Sequence, residues 1–127
     1  MSTVLSAFND HFMEFVDDII RVFPNDTDLL SAKNSFIMIR KANPQLILKS
    51  WLQFVVGQYK NEIENGNIDF FINKDYSQDL ANTSLPNSGK IMDAVERLRS
   101  PIRKMDKEDQ EKTMKYIQNL TTLASMY

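Results

Sequence analysis

The chain has 127 residues, 43% of them hydrophobic and 25% charged, with a net charge of −2 and a pI of about 5.3; this is the balance of one globular domain and too short for two. No cysteine is present, which excludes disulfide scaffolds, cysteine-ligated zinc, iron–sulfur clusters and thiol catalysis together. The acid balance argues against a dedicated nucleic-acid binder, no run reaches the roughly 20 apolar residues of a membrane span, and with only 3 Gly and 4 Pro turns are few, which favours long helices over many short strands.

From Val4 to Phe23, helical spacing places Leu5, Phe8, Phe12, Phe15, Val16, Ile19 and Phe23 on one arc, with Asp10, Glu14, Asp17 and Arg21 opposite. That is an amphipathic helix, stopped at Pro24. Asn25-Asp26-Thr27-Asp28 supplies N-cap residues for a second helix through about Ala42. Its apolar residues Leu29, Leu30, Phe36, Ile37 and Ile39 spread widely around the axis, which predicts a central helix. Asn43-Pro44 reads as a restart, with Asn capping and Pro at the first helical position, where its missing N–H costs nothing. The third helix, from Pro44 to about Asn65, carries Ile47, Leu48, Trp51, Leu52, Phe54, Val55, Val56, Tyr59 and Ile63 over roughly half its circumference and is the candidate core helix. Gly66 fits the left-handed residue just past its end. Ile68-Asp69-Phe70-Phe71-Ile72 is too short for an independent helix and too apolar for a loop, so a short buried helical turn is expected.

Ala81 to Lys90 is rich in Asn, Thr, Ser, Pro and Gly and marks a linker. Beyond it Ile91, Val95, Leu98, Ile102 and Met105 keep one phase through Pro101, predicting one kinked helix or two nearly collinear ones. Asp106 with Asp109 opens a last helix whose stripe is Thr113, Ile117, Leu120 and Ala124. The expected architecture is therefore all-α, a compact bundle of about five or six helices. Residues 1–80 form a helical core of three long helices and a short apolar segment, 81–90 a linker, and 91–127 a C-terminal helical hairpin, in the same domain or loosely docked.

Charge alternates along the chain: −5 over residues 1–28, +5 over 29–61, −4 over 62–82 and +2 over 83–127. The simplest reading is that helices of opposite sign pack side by side; the sharper one is a surface of acidic and basic patches for partner proteins. Asp10, Glu14, Asp17 and Asp18 form the acidic candidate face. Arg97, Arg99, Arg103, Lys104 and Lys107 form the basic one, a run able to contact an anion or a partner. That run is followed at once by acids and has no interleaved aromatics for base stacking, so a salt-bridged exposed face is favoured and nucleic acid is not an expected partner.

No catalytic, cofactor-binding or metal site is expected. A di-metal bundle needs Glu-x-x-His from two helices, and the single histidine, His11, precedes Glu14 instead of following it. Asn25 to Asp28 lacks the glycine and the glutamate of a calcium loop. His11 sits at the edge of the apolar arc as a half-buried, hydrogen-bonded imidazole. Glu62 falls inside the apolar arc of the core helix, where it either snorkels out or forms a structural ion pair. The seven methionines, Met92, Met105, Met114 and Met126 in the C-terminal third among them, offer an adaptable binding surface as one reading, and ordinary gap-filling is the favoured one. Gly57, Gly66 and Gly89 make no phosphate-binding loop.

The block Ala42-Asn43-Pro44, followed by Trp51 and Val55-Val56 and then by the run IDFFINKDY from Ile68 to Tyr76, resembles small uncharacterised helical proteins of large nucleocytoplasmic DNA viruses of algae and amoebae. The resemblance covers roughly residues 8 to 80 and brings no catalytic residues with it. It implies a virus-encoded structural protein, such as a minor capsid protein that bridges larger capsid subunits through protein–protein contacts with them or with copies of itself. The competing expectations are a soluble regulatory adaptor in infected cells and a weak nucleic-acid-binding accessory factor using Arg97 to Lys107; an enzyme ranks last. Met1 to Phe15 lacks the basic start and apolar run of a signal peptide, so the virion or the host cytoplasm is the expected location.

Overall fold

The apolar run that opens the chain folds into helix α1, Thr3–Val22, which buries Phe8, Phe12, Phe15, Val16 and Ile19 along one side. In this computed structural model the described residues are 3–69 and 88–127. The chain turns after Phe23 and re-enters a helix at Asp26, whose carboxylate accepts from the N–H groups of Asp28 at 2.9 Å and Leu29 at 3.3 Å, an N-cap that satisfies two donors of the first turn. Helix α2, Thr27–Ala42, runs back along α1 and buries Leu29, Ala32, Phe36 and Ile39. Two aromatic rings lock this pair: the centroids of Phe12 and Phe36 lie 4.7 Å apart, edge to face, the geometry the ring quadrupoles favour.

Asn43 ends α2 and does not cap the next helix in the expected way. Its N–H closes α2 on Ile39 O, and its side-chain Oδ1 accepts from Gln45 N at 3.2 Å. Pro44 thus lies in a turn, and helix α3 begins two residues later, Leu46–Ser50. The turn is pinned to α1 by buried Asn9, whose Nδ2 donates to Pro44 O at 2.9 Å. From Trp51 to Val56 the helix widens into a π-helical segment, then continues as α4, Gly57–Glu64.

The widened turn has a sequence cause. Ile47, Trp51, Val55, Tyr59 and Ile63 stand four residues apart throughout, and on an ideal α-helix such a stripe drifts by about 160° over its length. A π turn advances fewer degrees per residue and returns the later members to the core side, so Trp51, Val55 and Ile63 are all buried. At its end Gly57 N–H donates to Leu52 O, five residues back. A Cβ on Gly57 would stand 3.2 Å from that same carbonyl oxygen, so the residue without one fits the crowded position. Past Glu64 the chain closes as a Schellman motif: Asn67 N bonds Glu62 O, Gly66 N bonds Ile63 O, and Gly66 adopts φ +72°. Ile68 is half-buried against the core; the rest of the apolar turn expected there, with residues 70–80, lies outside the described residues.

Of the linker expected at 81–90, residues 81–87 lie outside the described part, and 88–90 are already helical. Helix α5, Ser88–Lys104, passes through Pro101 as one helix and buries Ala94, Leu98 and Ile102; the Ile91 and Val95 side chains lie outside what is described. After Met105, Asp106 caps helix α6, Lys107–Ser125, by accepting from Asp109 N at 2.8 Å. The two C-terminal helices touch near this junction, through Gln110 Nε2 to Ile102 O and Thr113 Oγ1 to Met105 Sδ. From there they diverge, α5 along α2 and α6 along α1. The sole tryptophan ties α6 to the composite helix, donating from Nε1 to Thr121 Oγ1 at 3.0 Å, and Gln118 Nε2 donates to Ile63 O at 2.9 Å. The described residues form six α-helices, the π segment and no strand, an all-α bundle.

Substitutions at two positions test this packing. Phe12→Ala should lower stability by about 3–5 kcal/mol in denaturant unfolding, because it empties the centre of the aromatic cluster; a loss below about 1 kcal/mol would contradict that placement. Gly66→Ala should cost about 1–2 kcal/mol through its left-handed backbone, and Gly66→Asn clearly less.

Candidate functional site

The polar side of α1 was the strongest candidate surface in the sequence, and its carboxylates are engaged within the chain. Asp10 meets Arg40 at 2.9 Å and Asp17 meets Lys33 at 2.7 Å. Asp10 and Asp17 are two helical turns apart on α1, Lys33 and Arg40 two turns apart on α2, and the antiparallel packing brings them into register. Asp18 is the buried member, 8% exposed at the side chain, and bridges Arg21 of its own helix and Lys112 of α6, the latter at 3.0 Å. A carboxylate this deep persists because two cations face it. Asp10, Asp17 and Asp18 thus divide between two neighbours of α1, the first two meeting bases of α2 and the third a base of α6.

Glu14 differs from the other three. It is 66% exposed and its partner is His11, Nδ1 to Oε2 at 3.1 Å. The His11 ring lies 5.0 Å from Tyr116 of α6, and its Nε2 is buried with no hydrogen-bond partner among the described residues. Glu14, Asp17, Asp18, Arg21 and Tyr116 line a shallow depression of about 310 Å³. Lys33, Lys112, Arg21 and His11 face its three carboxylates, so the floor is a network of internal pairs. Among the described residues no group of three or more histidines or carboxylates is placed to hold a metal ion, and no helix is long and apolar enough to cross a membrane.

The basic run is not the single exposed face that its sequence predicts. Arg99 is 4% exposed, on the same side of α5 as the buried Leu98 and Ile102. Arg97 reaches α2 and meets Asp28 at 3.4 Å. Arg103, Lys104 and Lys107 are exposed at the α5–α6 junction, beside the capping Asp106. The run looked uniform because charge was counted along the chain; helical phase separates its members. Glu62 is half-buried near the end of α4 and forms no ion pair among the described residues, the snorkelling alternative.

One surface was not anticipated. The spread of apolar residues around α2 predicts a central helix, yet Leu30 is 45% and Met38 66% exposed. Asp28 faces α5, Lys33 and Arg40 face α1, and Leu29, Ala32, Phe36 and Ile39 face the core. The remaining side of the helix carries Leu30, Asn34 and Met38 outward. The signal was available in the spacing: Lys33 and Arg40 mark one flank, so residues about half a turn away from the buried stripe must face solvent.

No family model, curated protein or solved structure matches this chain.

The ion pairs should differ in weight. A double-mutant cycle on Asp10→Ala and Arg40→Ala should give a coupling of about 0.5 kcal/mol that shrinks in high salt. Asp18→Asn should cost more, roughly 1–2 kcal/mol, because the carboxylate is buried between two cations. Equal effects in urea unfolding would refute the distinction.

Proposed function

We propose that the protein is a structural interaction protein that works through helix faces, and that it serves as a virion component, such as a minor capsid protein of a large DNA virus. The observation that carries the first part is the outward side of α2, where two large apolar side chains, Leu30 and Met38, are exposed, while Lys33 and Arg40 pair with α1, Asp28 pairs with α5, and Leu29, Ala32, Phe36 and Ile39 fill the core. Leu30 and Met38 give that side of the helix apolar surface available for a contact outside the chain. The second part rests on the resemblance in Ala42-Asn43-Pro44, Trp51, Val55-Val56 and residues 68–76. A charge-segmented helical domain suits a bridging role, since rim charges set register and partner choice around a small apolar centre. Arg97 and Arg99 are drawn into the packing of α5, which leaves the nucleic-acid reading with Arg103, Lys104 and Lys107 beside four acids.

Quantitative mass spectrometry of purified particles tests the virion role: a fixed ratio of this chain to the major capsid subunit is expected, retained through salt washing. Absence from particles would overturn that role. A photo-crosslinking residue at position 38 tests the interaction role, with adducts to another polypeptide expected there and none at position 115 on α6.

A further inference from the structure

We propose that the outward side of α2 pairs antiparallel with the same side of a second copy of this chain. The proposal rests on the interaction reading above and names its partner. Leu30 and Met38 stand four residues before and four residues after Asn34, so one turn to either side of a common centre. A two-fold axis passing by Asn34 lays Leu30 of each copy against Met38 of the other, an isologous contact in which one apolar pair is made twice. The two Asn34 amides meet at the axis, where each carries both donors and an acceptor for the other. Ser31, beside Met38 on the wheel, is small enough for close approach.

The ends of α2 give the direction. At its start α2 carries Asp26 and Asp28, of which Asp28 meets Arg97, and at its finish Arg40 and Lys41, of which Arg40 meets Asp10. Its acids therefore gather at one end and the bases Arg40 and Lys41 at the other. Antiparallel pairing sets each acidic end against a basic end and opposes the two helix dipoles. A parallel copy would instead place Lys41 against Lys41 and Leu30 against Leu30. The seam is one helix wide, so the dimer is concentration-dependent and not obligate.

Sedimentation equilibrium on the full chain provides the test. The unmodified chain should dimerise as concentration rises. Leu30→Lys and Met38→Glu should each weaken the dimer about tenfold or more, since each sets a charge against an apolar side chain, with circular dichroism melting unchanged at concentrations where the unmodified chain is monomeric, because both positions are exposed. The double variant L30K/M38E should recover the dimer, as the introduced ammonium of one copy meets the introduced carboxylate of the other. A dimer indifferent to both single substitutions, or a double variant that fails to recover, overturns the antiparallel pairing. A monomeric unmodified chain overturns it as well. If position 38 still crosslinks to a different polypeptide in that case, the interaction reading stands without self-pairing; with neither dimer nor crosslink, both fall.

Discussion

Phe12 is the side chain around which the other helices are arranged. Its ring lies within 6.3 Å of the rings of Phe8, Phe15, Phe36 and Trp51, which brings α1, α2 and the π segment to one point. Phe15 carries the same cluster onward to Tyr116 of α6 at 5.8 Å. Each such ring pair adds about 0.5–1.5 kcal/mol beyond the area it buries, and their shared members make the cluster cooperative. Losing one ring loosens three helix contacts at once. The π turn belongs to the same constraint: without it Trp51 and Ile63 would point in different directions, and only one of them would reach the core.

Around this apolar centre the charges select register more than they add stability. Exposed ion pairs contribute little, but Asp10–Arg40 and Asp17–Lys33 share one antiparallel register, and a slip of one turn would leave both carboxylates opposite uncharged residues. The aromatic side of α1 tolerates such slips poorly in volume, and the polar side excludes them in charge. Asp18 does the equivalent for α6, since the buried carboxylate fixes where Lys112 must lie.

Much of this was legible before any coordinates. Phe8 to Ile19 marks α1 by period alone, Asp26 and Asp106 mark helix starts, and Gly66 marks the end of α4, because each of these depends on a few neighbouring residues. The misread positions depend on distant ones. The half-circumference spread of the third helix was the trace of a π turn, yet a wheel drawn at constant pitch cannot display a change of pitch. Arg99 looked exposed because it sits among bases, yet it is 4% exposed, on the side of α5 that carries Leu98 and Ile102. Of the candidate site, the carboxylates on α1 are visible in the sequence, and their partners on α2 and α6 were hidden because sequence shows charge and not adjacency. The seven-residue spacings of Asp10 and Asp17 and of Lys33 and Arg40 did contain that register.

Leu30 and Met38 bear on function for a related reason. A helix needs good helix formers on its outer side, and leucine and methionine qualify, but lysine, glutamate and glutamine qualify equally and keep the surface wet. Propensity therefore does not explain an apolar choice at two outward positions flanking one amide. The core does not explain it either, since Leu29, Ala32, Phe36 and Ile39 already fill the inward side and the flanks are occupied by ion pairs to α1 and α5. Under the proposed self-pairing these two positions form the seam, and their symmetric placement about Asn34 lets a second copy supply the matching surface.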